Sequence, residues 1–282
     1  MCGEKSWKKD LSTDRTVGEM AALALTQLSP ESIEPLIKAL KDGQLVTRAN
    51  SAFALGLVRD SRNVEPLIEA TRDTESRVRE KAVWSLGLVG DERAVEPLVL
   101  SLKDSAWGVR SQAAWALGLK GDDRAVRGLV AALSDENPKV QTQAAWALGL
   151  KGNSQSVEPL TIVLVNGASD EVRSQAAWAL GLKGDSRAVP PLINALKDRS
   201  SEVRSQAAWA LGLKGDSRAV LPLVETLKDS SPEVRSQAAW ALGPQGRLQG
   251  SSWTRRHVKR QQFGCPVASC VGTWFERRQS RN

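Results

Sequence analysis

The side chains that usually carry nucleophilic, acid–base or metal chemistry are almost missing from this sequence. There is no tyrosine, the one histidine is His257, and the three cysteines are Cys2, Cys265 and Cys270. Residues 1–243 thus hold a single thiol and no imidazole, so neither a Ser-His nor a Cys-His nucleophilic pair can form there. A histidine-rich metal site is excluded with them. His257, Cys265 and Cys270 lack a fourth ligand and are spaced unlike a zinc motif. Glycines recur singly at helix ends or close packing points and form no phosphate-cradling loop, and the carboxylates gather at turns, where they cap helices. No catalytic, cofactor-binding or metal-binding residue is expected.

Two ladders of larger polar and aromatic side chains remain. Arginine recurs at Arg48, Arg79, Arg110, Arg173, Arg204 and Arg235, with Gln141 the one departure. Each lies just after the start of a helical segment, near the aspartate that closes the preceding one, such as Asp104, Asp198 or Asp229. A structural role outweighs ligand binding for this ladder. Tryptophan recurs at Trp84, Trp115 and Trp146 with steps of 31, and at Trp178, Trp209 and Trp240 with the same step. Trp146 to Trp178 is a step of 32, and Phe53 stands 31 before Trp84. A glutamine precedes the tryptophan by one turn at Gln112, Gln143, Gln175, Gln206 and Gln237.

These ladders need elements that repeat with them. Each unit contains two helical segments. The first, as in DERAVEPLVLSLKD (91–104), spaces Val95, Leu98, Val99 and Leu102 helically. Pro97 is tolerated only in a first turn, so this helix is predicted to begin near Arg93 or Ala94. The second opens with a capping side chain before a proline, as in Asn137-Pro138 and Ser231-Pro232. It is predicted to close with a left-handed glycine at Gly121, Gly152, Gly184 and Gly215. Two helices of about a dozen residues cannot bury their apolar faces alone, so the units must stack. On a wheel of helix 202–214 with Val203 at zero, Ala207, Ala210 and Leu211 fix a core direction near about 20–30°, and Trp209 falls near about 240°. The wheel puts one indole per repeat on the outer flank of the second helix.

The phrase VRSQAAWALGLKGD-RAV-PL, the paired helices and the proline in the first of them resemble HEAT repeats, most closely the short class named after phycobilisome lyase subunits. The resemblance covers about residues 20–243. It implies an all-α, right-handed α-solenoid of stacked 31-residue helix pairs over residues 15–243, an N-terminal half-repeat plus seven pairs, behind a disordered segment 1–14. In similar repeats such Arg and Asp residues tie the stack together by charge-assisted hydrogen bonds. Second helices line the concave surface of such solenoids, so Trp84, Trp115, Trp146, Trp178, Trp209 and Trp240, with Gln112, Gln143, Gln175, Gln206 and Gln237, are expected to form a partner-binding row. The alternative is that each indole lies across the neighbouring helix and cements the stack. Some enzymes on HEAT-like scaffolds, the deoxyhypusine hydroxylases, hold iron with His-Glu pairs; nothing here matches that motif.

The last copy of the phrase breaks off after Gly243. Joining the second and third bases of each later codon to the first base of the next restores it: Pro244-Gln245 permits CTC, leucine, Gln245-Gly246 permits AAG, lysine, and the following junctions permit Gly, Asp, Ser, Arg, Ala and Val. From Phe263-Gly264 to Ser280-Arg281 the junctions permit SDVRSQAAWALGLKGDSR, and the recovered tryptophan falls at position 271, which is 31 after Trp240. Residues 244–282 therefore read as an out-of-frame translation of the next repeat, a non-repeat basic tail expected to be disordered. The tail carries eight of the 39 Lys and Arg and one of the 32 acids, so residues 1–243 hold 31 of each. The net charge of +7 belongs to the tail, and no nucleic-acid partner is expected. No long apolar run marks secretion or a membrane span. One thiol in the body fits a reducing cytoplasm. The expected role is a non-catalytic scaffold for a protein partner that is itself extended or repetitive; the alternative, by resemblance, is a bilin lyase-type subunit or chaperone acting on phycobiliproteins.

Overall fold

The computed structural model describes residues 33–243; the half-repeat, the expected disordered segment 1–14 and the tail 244–282 lie outside the described residues. Within them the chain forms fourteen α-helices and no strand. In chain order these are α1 Ile33–Asp42, α2 Leu45–Val58, α3 Val64–Ala70, α4 Ser76–Val89, α5 Val95–Ser101, α6 Trp107–Lys120 and α7 Asp123–Ala132. They continue as α8 Pro138–Lys151, α9 Val157–Asn166, α10 Asp170–Leu182, α11 Val189–Ala195, α12 Ser201–Lys214, α13 Val220–Thr226 and α14 Pro232–Leu242. Odd-numbered helices are the first of each pair and even-numbered ones the second, giving seven pairs.

The pairs start and stop for local reasons. The first helix is entered through a 3₁₀ turn, as at Glu92–Ala94 before α5, which moves its α-helical start one residue past the predicted Ala94. That turn is capped by an aspartate, Asp91, whose carboxylate accepts the backbone N–H of Arg93. Asp60, Asp185 and Asp216 do the same in their pairs, and Asp122 caps α7 directly. The predicted caps of α8 and α14 form: Asn137 accepts from the Lys139 N–H at 2.9 Å, and Ser231 Oγ accepts from the Val234 N–H at 3.4 Å.

The helix ends depart from the expectation. Gly215 alone of the four glycines is left-handed, at φ 66°. Gly121 and Gly152 sit in extended backbone and donate their N–H to Leu117 and Leu148. Glycine is needed at Gly121 because the chain doubles back: a Cβ there would lie 2.4 Å from the Leu117 carbonyl oxygen. α10 ends one residue before Lys183, ahead of Gly184.

The described chain forms two compact units, divided within α9 at Val163 and Leu164. In the first unit α2, α4, α6 and α8 pack side by side as successive second helices, each also against the first helix of its own pair. In the second unit α10, α12 and α14 do the same, with α11 and α13 behind α12 and α14. Each unit is thus a stack of α-helical hairpins, an α-solenoid in its local organisation. The core is a row of leucines from both helix types, including Leu67, Leu86, Leu98, Leu117, Leu129 and Leu148 in the first unit and Leu180, Leu192 and Leu211 in the second, all fully buried. An apolar column shared between neighbours is what makes short pairs stable only in stacks.

Candidate functional site

The arginine ladder forms, with a pairing the sequence reading did not have. Arg79 donates Nε and Nη2 to the carboxylate of Asp104 at 2.6 and 2.8 Å. Arg48 to Asp73, Arg110 to Asp135, Arg173 to Asp198 and Arg204 to Asp229 repeat the bidentate geometry, always with a partner 25 residues on. The carboxylate therefore comes from the following helix pair. The nearer aspartate contributes its backbone carbonyl instead: Arg110 Nη1 donates to Asp104 O at 2.9 Å and Arg204 Nη1 to Asp198 O at 3.0 Å. Each fork so joins the loop of its own pair to the aspartate of the next. That aspartate closes the rung by accepting the N–H two residues on, as Asp229 does from Ser231 at 2.8 Å.

The rungs are largely out of solvent; Arg110 and Asp135 are each 9% exposed. The Arg204 hydrogen bond, working against burial, holds the Asp229 carboxyl below the usual carboxylate range. For Asp73, Asp104, Asp135 and Asp198 burial pushes the other way most strongly, and the arginine with the backbone N–H together outweigh it. Gln141 supplies one bond of the set, donating Nε2 to Asp135 O. All of this is chemistry of cohesion. Among the described residues no group of His, Cys, Asp and Glu could hold a metal ion.

Sequence reasoning missed a second set of ion pairs. Arg62, Arg93, Arg124, Arg187 and Arg218 each turn back onto the aspartate two residues before, as in Arg218 Nη2 to Asp216 at 2.8 Å. The signal was present as the Asp-x-Arg that opens five of the seven first helices. These arginines are more than half exposed, so their pairs set the turn and add little stability.

The tryptophans are half-buried, all six of them. Four of them, Trp115, Trp146, Trp209 and Trp240, lie against a glycine of the preceding second helix. A Cβ on Gly87 would lie 2.6 Å from Cζ3 of Trp115, and one on Gly118 would lie 2.4 Å from Cζ3 of Trp146. In the second unit Gly181 and Gly212 make the same room for Trp209 and Trp240. The benzo edge of each of these indoles is seated in a notch of the preceding second helix. Rings also meet each other: Phe53 stacks on Trp84 at 5.0 Å between centroids, and Trp84 on Trp115 at 6.4 Å, nearly parallel. Lys81, which stands where other repeats have glutamine, holds its ammonium 5.0 Å from the centre of the Phe53 ring.

What remains uncovered forms a strip along each second helix. Gln112, Gln143, Gln175, Gln206 and Gln237 are half-buried one turn before the tryptophans. One turn after them come Leu119, Leu150 and Leu182, which are 39%, 43% and 41% exposed, while Leu88 and Leu213 are half-buried. These leucines were legible only as the i+4 partners of tryptophan in WALGL. In Gln175 the Oε1 atom is buried without a hydrogen-bond partner. The strips are Trp84, Trp115 and Trp146 with their neighbours in the first unit, and Trp178, Trp209 and Trp240 with theirs in the second. Such a strip offers flat aromatic area and an amide in a fixed register, and no group that could transfer a proton or attack an electrophile.

The family model for HEAT repeats matches residues 33–114, 95–181 and 157–243. Comparison with curated protein sequences returns no match. Among solved structures the chain is similar to YibA of Escherichia coli, at 21% identity and a TM-score of 0.65, over 88% of this chain and 93% of that one. It is similar to the complex of CpcE and CpcF of phycocyanin lyase from Nostoc, at 23% identity and a TM-score of 0.50, over 80% and 92%. Importin beta matches at 17% identity and a TM-score of 0.56, covering 86% of this chain and 39% of importin beta. At these identities the likeness is one of fold.

Proposed function

The chain belongs to the HEAT-repeat family, and for a member with this surface we propose a non-catalytic scaffold that binds a protein partner along the Gln-Trp-Leu strips of its second helices. The observation that carries the reading is the repetition of half-buried indoles at one register, the first five of them followed one turn on by an exposed or half-buried leucine. Clustered tryptophans anchor many protein interfaces, because they bury a large area at small cost in conformational freedom. Repeated strips with the same three residue types favour an extended or internally repetitive partner, which gains from engaging several at once. The reading puts the protein in the cytoplasm, where its lone body thiol stays reduced. Among the described residues no helix is long and apolar enough to cross a membrane.

The test is a map of faces. A photo-crosslinking side chain placed at Leu119 or Leu182 should capture a partner, and one placed at Leu100 on a first helix should not. Binding of the captured protein should then weaken at least about tenfold in Trp178→Ala. Capture from Leu100 alone would reject the proposal. The lyase-type alternative makes a different demand: a bilin added to the protein should shift its visible absorbance, whereas the scaffold reading expects no shift.

A further inference from the structure

The outer side of α14 is built as the inner side of an interface. Arg235 occupies the rung position and donates Nη1 to the carbonyls of Asp229 and Ser230 at 2.8 and 2.9 Å, as the other ladder arginines do within their own loops. Its carboxylate partner is the part that is missing among the described residues. The five completed rungs place that partner 25 residues on, and position 260 is Arg260, a second cation. Ala239 is half-buried where its equivalents Ala114, Ala145, Ala177 and Ala208 are fully buried, and Leu227 is half-buried where Leu102, Leu133 and Leu196 are 4–7% exposed. An arginine fork and an apolar face with these vacancies fit one kind of partner, a helix pair with an aspartate in the rung register.

The neighbouring reading frame permits such a pair. Across Val258, Lys259, Arg260, Gln261 and Gln262 the codons GTT, AAA, AGA, CAG and the C of CAR are one choice that reads TTA AAA GAC AGC when displaced by one base, Leu-Lys-Asp-Ser. The same four residues follow α13 in the preceding pair at 227–230, and that choice puts the aspartate at position 260. Nothing in the out-of-frame reading required an aspartate there; the structure supplies that requirement independently through Arg235. We infer that the outer face of α14 is the docking surface for one further HEAT helix pair, encoded by codons 244–281 in the displaced frame and tied to Arg235 through an aspartate at position 260.

The inference is tested by removing one base after codon 243, so that the phrase continues as LKGDSRAV, and comparing that protein with the full chain as it stands. In the repaired protein the amides of α14 should exchange with solvent at least about tenfold more slowly, as an end helix becomes an internal one. Arg235→Gln should lower the melting temperature of the repaired protein by about 2–4 °C, the shift expected for roughly one kcal/mol in a chain of this size, and leave the unrepaired chain nearly unmoved. Equal effects of Arg235→Gln in the two proteins, or unchanged exchange of α14, would overturn the docking surface.

Discussion

At the scale of single residues, cohesion is divided between a charged fork and a missing methyl. Arg204 makes four hydrogen bonds through one guanidinium: two to Asp229 and one each to the carbonyls of Asp198 and Arg199. Truncation to alanine strands a carboxylate whose side chain is 12% exposed. Arg204→Ala should therefore cost about 1–3 kcal/mol in urea unfolding, the range for a lost charged hydrogen bond with its desolvated partner left behind. Gly118 makes the opposite point. Alanine is favoured over glycine inside a helix by about 1 kcal/mol, so the substitution looks stabilising on propensity alone. The added Cβ would press on Cζ3 of Trp146 and lie 3.1 Å from the Ala147 Cα, and overpacking of that kind costs about 1–3 kcal/mol. Gly118→Ala should lower stability, and a rise in the urea midpoint would show that the notch does not seat the indole.

At the scale of elements, the rungs act together and respond to acid. The five partner aspartates titrate below 3.8 in the folded protein. Between those folded values and 3.8 the unfolded chain binds more protons, so stability rises with pH across that window. The stabilisation is complete above the unfolded value and is lost as pH falls from about 4 through the folded values. Urea midpoints measured from pH 6 down to pH 2.5 should fall steeply below pH 4, and Asp229→Asn should flatten part of that slope. The helix pairs themselves were legible in the sequence because a 31-residue echo, prolines at first turns and Asp, Asn or Ser caps all report local rules. The register of the rungs was not legible. Arg110 lies six residues from Asp104 and 25 from Asp135, and only the stacking decides which carboxylate faces it. The glycine ends were misread for a related reason: Gly121 answers to a close contact with Leu117, and close contacts leave the same letter in the sequence as left-handed backbone. The wheel placed Trp209 correctly off the core direction, yet it could not show that the preceding helix would offer Gly181 as a seat. The ring is half-buried, with its Cζ3 close to that glycine.

At the scale of the whole molecule, the repeat body is electrically balanced, with 31 bases and 31 acids in residues 1–243. Long-range steering by net charge is therefore weak for the body, and the proposed partner recognition has to rest on short-range contact. Partner affinity of residues 1–243 should change less than about threefold between 50 and 300 mM salt, measured by calorimetry. A basic nucleic-acid binder would lose orders of magnitude over the same range. The frame-repaired protein, in which the eight basic residues of the tail give way to one more repeat, should behave like the neutral body.

The central claim is that the second-helix strips, and not the first helices, hold the partner. Calorimetry of the crosslinked partner against two variants tests it most directly, at a temperature well below melting. Trp209→Ala removes a half-buried indole whose Cζ3 lies against Gly181, and Leu221→Ala removes a first-helix leucine that is 61% exposed. The account expects Trp209→Ala to weaken binding by about 2 kcal/mol or more, roughly thirtyfold, as interface tryptophans do, and Leu221→Ala to leave the affinity unchanged. Loss of binding in Leu221→Ala with full affinity in Trp209→Ala would contradict it.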